Sequence, residues 1–102
     1  MNGMDFRLLI CDAGRLMAFK LSNHAKEEME RRSITWQILE TVLYHPQQIV
    51  AERGNLKAYQ SVIDFGSGKH FLLRAIIDDN LTPAVVVTVY RTSKIDKYWR
   101  PS

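Results

Sequence analysis

A chain of 102 residues, 46% hydrophobic and 25% charged, is long enough to bury one core and too short for two. Its formal net charge of +3 admits a nucleic-acid or acidic-protein partner without demanding one. A single cysteine, Cys11, excludes an intrachain disulfide framework and a CxxC zinc pattern. No apolar run approaches transmembrane length, and residues 1–18 lack the organised regions of a signal peptide, so no membrane is expected and the cytoplasm is the expected compartment.

In chain order, Phe6 to Cys11 can form a short strand closed by the turn signal Asp12-Ala13-Gly14. A self-contained pattern begins at Met17. Residues 1–16 are therefore expected to be a loosely attached extension, or upstream codons before the true start, with the domain spanning residues 17–102. Ser22 is placed to cap a first helix running to Arg32, with Ala25 and Met29 as a narrow apolar stripe. Thr35 can cap a second, Trp36 to Tyr44, whose Ile38, Leu39, Val42 and Leu43 share a face; His45-Pro46 stops it. Gln48 to Arg53 and Leu56 to Phe65 read as strands joined by a tight turn at Gly54-Asn55. A third strand, His70 to Asp78, follows Gly66-Ser67-Gly68-Lys69. The run Ala84 to Arg91, uncharged until its last residue, reads as a central strand buried on both sides. The tail from Lys94 to Trp99 suits a last helical turn packed back on the sheet.

The order predicts an α+β fold: two N-terminal helices packed on one face of a four-stranded antiparallel sheet. Alternation assigns Phe71, Leu73, Ala75 and Ile77 to the core with Val85, Val87 and Val89. Arg74 then falls on the open face, opposite Thr88 and diagonal to Tyr90. A one-residue slip would bury Arg74, a costly outcome for an unpaired charge.

Several residues admit both a chemical and a structural reading. His24, in a first helical turn, is either an acid/base or phosphate contact or a surface histidine. Arg31 and Arg32 suit a solvated helix end. Arg74, Arg91 and Lys94 flank an apolar sheet and either bind an anion or snorkel toward Asp64, Asp78 or Asp96. Tyr90 either stacks or transfers a proton, or covers a core edge. No spacing joins the histidines into a metal site, and Gly66-Ser67-Gly68-Lys69 lacks the phosphate-loop pattern, so neither metal nor cofactor is expected.

The segments Leu21-Ser22-Asn23-His24-Ala25, Met29, Arg32-Ser33-Ile34 and Pro46, with the closing run Val85 to Lys94, resemble a bacterial family of domains of unknown function. Its usual pattern is Ser-x-His-Ala-x-x-Arg-Met-x-x-Arg-Gly-Ile. Glu28 stands where that pattern has Arg, and Ser33 where it has Gly. The family looks related to BrnT-type toxins of the RelE/ParE superfamily. That resemblance implies an endoribonuclease of a type II toxin–antitoxin pair, acting on free or ribosome-bound RNA without metal and held by a cognate antitoxin. Its alternative is a non-catalytic RNA- or protein-binding module on the same fold. Carried over by position, His24, Arg74, Tyr90 and Arg91 would be catalytic, and Arg32 and Lys94 would contact RNA. A homodimer is a further assembly state that the resemblance leaves open.

Overall fold

The computed structural model describes the backbone of residues 5–10 and 16–101, and side chains from residue 19 to residue 101. Among the described residues six strands and three helices follow in the order β1 (Asp5–Ile10), β2 (Leu16–Leu21), α1 (Asn23–Arg31), α2 (Trp36–Tyr44), β3 (Gln48–Ala51), β4 (Lys57–Asp64), β5 (His70–Asp78), β6 (Ala84–Thr92) and α3 (Ile95–Tyr98). The fold is α+β as expected, but the sheet is mixed rather than four-stranded and antiparallel, with order β1-β2-β6-β5-β4-β3. Strands β3 to β6 do form the antiparallel meander. To it β2 adds a parallel partner, pairing Phe19 with Ala84 and Leu21 with Val86, and β1 extends the edge. The two helices, β3, β4 and β5 together supply the long crossover that a parallel pair requires. No helix among the described residues is long and apolar enough to cross a membrane.

Both long helices start where a hydroxyl can satisfy an orphan amide. Thr35 Oγ1 accepts from the amide of Ile38. Ser22 does more. Its Oγ accepts from the Ala25 amide at 3.0 Å and donates to the Val87 carbonyl at 2.8 Å, while its own amide donates to Val86. One serine therefore caps α1 and fastens it to β6. The other end of α1 closes with Ile34 N–H donating to the Met29 carbonyl and Ser33 N–H to that of Glu30, around a left-handed Ser33 (φ 55°).

Val87 is also where β6 carries an extra residue: Ile76 faces Thr88, but the next rung pairs Ile77 with Val86. This bulge changes the parity of the strand. Val86 and Val89 are fully buried against Leu73, Ala75, Ile77, Met29, Leu39 and Val42, whereas Val85 and Val87 are half-buried. The expected core set of Val85, Val87 and Val89 is thus corrected to Val86 and Val89. Alternation fails here because one residue is inserted into the pleat.

Candidate functional site

The sheet face away from α1 and α2 carries a polar row across four strands. The register places Gln48 of β3 opposite Gln60 of β4, Gln60 opposite Arg74 of β5, and Arg74 opposite Tyr90 of β6. The expected partner of Arg74 was Thr88. The bulge and the longer β5–β6 connection move the pairing by two residues, which leaves Arg74 on the same face and brings Tyr90 directly across.

Arg74 is only 2% exposed, so it is not the open-face cation that alternation suggests. Every arm of its guanidinium is engaged. Nε donates to Gln60 Oε1 at 2.7 Å, Nη1 to the Tyr90 hydroxyl at 2.7 Å, and Nη2 to Glu52 Oε2 at 2.8 Å. The Tyr98 ring of α3 covers the guanidinium, with its centroid 4.4 Å from Cζ. Gln60 Nε2 donates to Gln48 Oε1 and to the Tyr98 carbonyl, and Gln48 Oε1 also accepts from the Arg100 amide at 3.1 Å. The chain after β6 is thereby tied over the row. No buried side-chain nitrogen or oxygen among the described residues lacks a partner, which is the condition under which a buried charge is tolerable.

The electrostatics follow from that packing. Burial disfavours the charged guanidinium, but the bonds to Glu52 and Tyr90 outweigh it and hold the Arg74 pKa above its ordinary value. For Tyr90 burial dominates over the neighbouring cation and raises its pKa, so the phenol keeps its proton at neutral pH. Glu52 is the open member of the group, its side chain 30% exposed. It lines a cleft of about 360 Å³ with Arg53, Leu56, Ile76, Val87, Thr88 and Tyr90. A carboxylate, a protonated phenol and an exposed arginine, Arg53, thus meet at one concave surface. That set can exchange protons and meet an anion.

The other expected site residues lie elsewhere. Arg91 pairs with Leu73, one rung from the Arg74–Tyr90 pair, and so projects from the opposite, helix-covered face. There its Cζ lies 4.4 Å from the Phe65 ring centroid and 4.9 Å from that of Phe71. His24 is exposed on α1, in the layer across the sheet from the cleft. Arg32 closes α1 and donates from Nε to Glu28 Oε1 at 2.7 Å; Arg31 donates to the other oxygen. Glu28, the departure from the family pattern, is therefore the anchor of both arginines. The hydrogen bond from Arg32, then that from Arg31, lowers its pKa. Lys94 is exposed just ahead of α3. Among the described residues no three His, Cys, Asp or Glu side chains cluster as a metal set.

Glu52, Gln60, Gln48 and Tyr98 were not anticipated. The signal for Gln60 is a glutamine between Tyr59 and Ser61 in a strand whose neighbours are buried. Glu52, expected within the first strand of the meander, lies just past the end of β3 at Ala51, and Tyr98 belongs to the tail that was expected to pack back on the sheet.

Residues 21–91 match the domain of unknown function DUF4258. The chain belongs to that family. The matched span begins with the Leu21–Ser22 cap and ends at Arg91, covering both long helices and the strands that build the cleft. No curated protein and no solved structure matches the chain.

Proposed function

We propose that this DUF4258 domain is a toxin-type endoribonuclease of a toxin–antitoxin pair, cleaving RNA by attack of a ribose 2′-OH on the adjacent phosphate. The observation that carries the reading is the single guanidinium of Arg74 holding the Glu52 carboxylate and the Tyr90 phenol side by side at the cleft wall. Support also comes from the motif resemblance to a family of domains that looks related to BrnT-type toxins of the RelE/ParE superfamily. In this reading Glu52 takes the 2′-OH proton as the new oxygen–phosphorus bond forms. Tyr90 gives its proton to the departing 5′ oxygen as the old bond breaks, leaving a 2′,3′-cyclic phosphate. Arg53, exposed at the rim, meets the phosphate charge. Arg74 acts as a positioning residue, because its nitrogens are already committed.

The test is cleavage of mixed RNA, with and without ribosomes, by wild type, Glu52→Gln and Tyr90→Phe. Loss of the general base should slow cleavage by roughly a hundredfold or more, and loss of the phenol proton by a similar or smaller factor. EDTA should leave the rate unchanged, and RNA with 2′-deoxy sugars should stay intact. A wild type that neither cleaves nor arrests growth on induced expression overturns the enzymatic reading. A second reading, a non-catalytic RNA- or protein-binding module, is favoured by one observation: Tyr98 covers the guanidinium face that a phosphate would otherwise approach. It predicts RNA retention without cleavage.

A further inference from the structure

The end of the sheet opposite the β5–β6 connection carries a second concentration of cations, separate from the cleft. Thr92 is paired with Leu72 and His70 with Asp64, so the β4–β5 turn and the exit from β6 emerge at the same sheet end. Lys69, His70 and Lys94 are all exposed there. Arg91 stands beside them on crossed aromatic rings, Phe65 and Phe71 meeting edge to face at 5.6 Å and 83°. None of Lys69, Arg91 and Lys94 makes an ion pair among the described residues, in contrast to Arg31, Arg32, Lys57 and Arg74. Asp64, the acid nearest Lys69 in sequence, turns its Oδ1 back to the Gly66 amide, and Asp96, exposed in the first turn of α3 two residues after Lys94, forms no ion pair with Lys94 or Arg91. The turn itself is open: a Cβ added at Gly66 or Gly68 would meet nothing within 4 Å.

We propose that this rim is a binding surface for single-stranded RNA, remote from the cleft and feeding it. Lys69 and Lys94 contact successive phosphates, and the half-buried Arg91 guanidinium, held against two phenylalanine rings, stacks on an unstacked base. Three properties favour RNA over an acidic protein segment. Cations left without carboxylates attract a polyanion and release its counterions. A guanidinium fixed on aromatic rings is a stacking platform that bases use and aspartate or glutamate side chains do not. The hydroxyl-bearing strand end, Thr92 and Ser93, is of the kind that hydrogen-bonds sugars and phosphates. The proposal deepens the preceding reading, since it rests on RNA being the ligand of this fold.

The experiment measures anisotropy of a fluorescent single-stranded RNA with the full chain, across a salt series. The variants are Arg91→Gln and the pair Lys69→Gln with Lys94→Gln. The charge variants should each weaken binding about tenfold, and the double lysine variant should lower the salt slope by about two. If wild type cleaves RNA, the rim variants should raise KM and leave kcat unaltered. If wild type binds RNA but never cleaves it, the rim stands and the catalytic reading falls. Unchanged RNA affinity and salt slope in the rim variants overturn the proposal. So does binding of polyglutamate as tight as that of RNA of equal charge, which would assign the rim to an acidic protein.

Discussion

Arg74 and Arg91 occupy neighbouring rungs of the same strand pair and have opposite fates. Arg74 faces away from the long helices, yet it is buried, triply hydrogen-bonded and roofed by Tyr98. Arg91 projects toward the helix layer, yet it reaches the rim, rests on two phenylalanines and pairs with no carboxylate among the described residues. Which face an arginine leaves from therefore says little about its availability. What decides it is whether distant parts of the chain bring acceptors to it. Glu52, Gln60 and Tyr98 come from three separate segments and convert an open-face cation into the centre of a second, polar core. The β4–β5 turn brings Arg91 rings and no carboxylate.

The comparison breaks most visibly on removal of each side chain. Arg74→Ala leaves the fully buried Gln60 without a donor and Glu52 without its cation, and should cost about 2–4 kcal/mol. The lower part of that range is expected because Glu52 keeps some solvent. Arg91→Ala forfeits a half-exposed cation–π contact and should cost about 1 kcal/mol or less. Urea unfolding of the two variants measures the difference. Equal costs would mean that the polar row is no more structural than the rim.

Titration sharpens the same contrast from both ends of the pH scale. Glu28 in α1 and Asp79 after β5 both titrate below their ordinary values of 4.5 and 3.8 in the folded chain. For Glu28 the cause is Arg32 and then Arg31. For Asp79 burial pushes upward, but hydrogen bonds from Lys57 and Tyr59 outweigh it. The unfolded chain binds these protons more readily, so the stabilisation is complete above the ordinary values and is lost as pH falls through the lowered ones. Tyr90 behaves in the opposite sense: its raised pKa makes the unfolded chain release the proton first, so stability declines as pH rises past 10. Unfolding midpoints between pH 2 and 11 should fall at both ends. Glu28→Gln should flatten the acid limb and Tyr90→Phe the alkaline one. An acid limb insensitive to Glu28→Gln would show that the two arginines do not hold that carboxylate in solution.

The legible parts of this fold were those written locally. Ser22 and Thr35 mark the starts of α1 and α2, His45-Pro46 marks the end of α2, and the glycine turns separate β3 from β4 and β4 from β5. Arg74 and Tyr90 were legible as a pair because one alternation rule places both on one face. The bulge at Val87 was not, because the run Val85-Val86-Val87 is uniform and any one of its residues could be the extra one. Nor was the parallel addition of β2, whose six residues before a helix cap carry no sign of a partner more than sixty positions away. The separation of Arg91 from Arg74 followed from the pleat itself, since residues on adjacent rungs point to opposite faces.

The smallest effect tests whether the helix layer is held by local signals as strictly as the polar row is held by distant ones. Ser33 occupies the left-handed position that ends α1, at φ 55°, where the resembling family has glycine. A side chain there costs roughly 1–2 kcal/mol relative to glycine, while glycine loses about 0.4–1 kcal/mol through the greater freedom of the unfolded chain. Ser33→Gly should therefore stabilise the domain by about 0.5–1 kcal/mol, the difference between those two terms. Gly54, at φ 62° in the β3–β4 turn with open space around its missing Cβ, supplies the mirror experiment. Gly54→Ala meets no clash, so its cost of about 1 kcal/mol would be backbone strain alone. Thermal unfolding of the two variants should move in opposite directions from wild type. A destabilised Ser33→Gly would mean that the serine side chain makes an interaction at the helix end worth more than the strain it imposes.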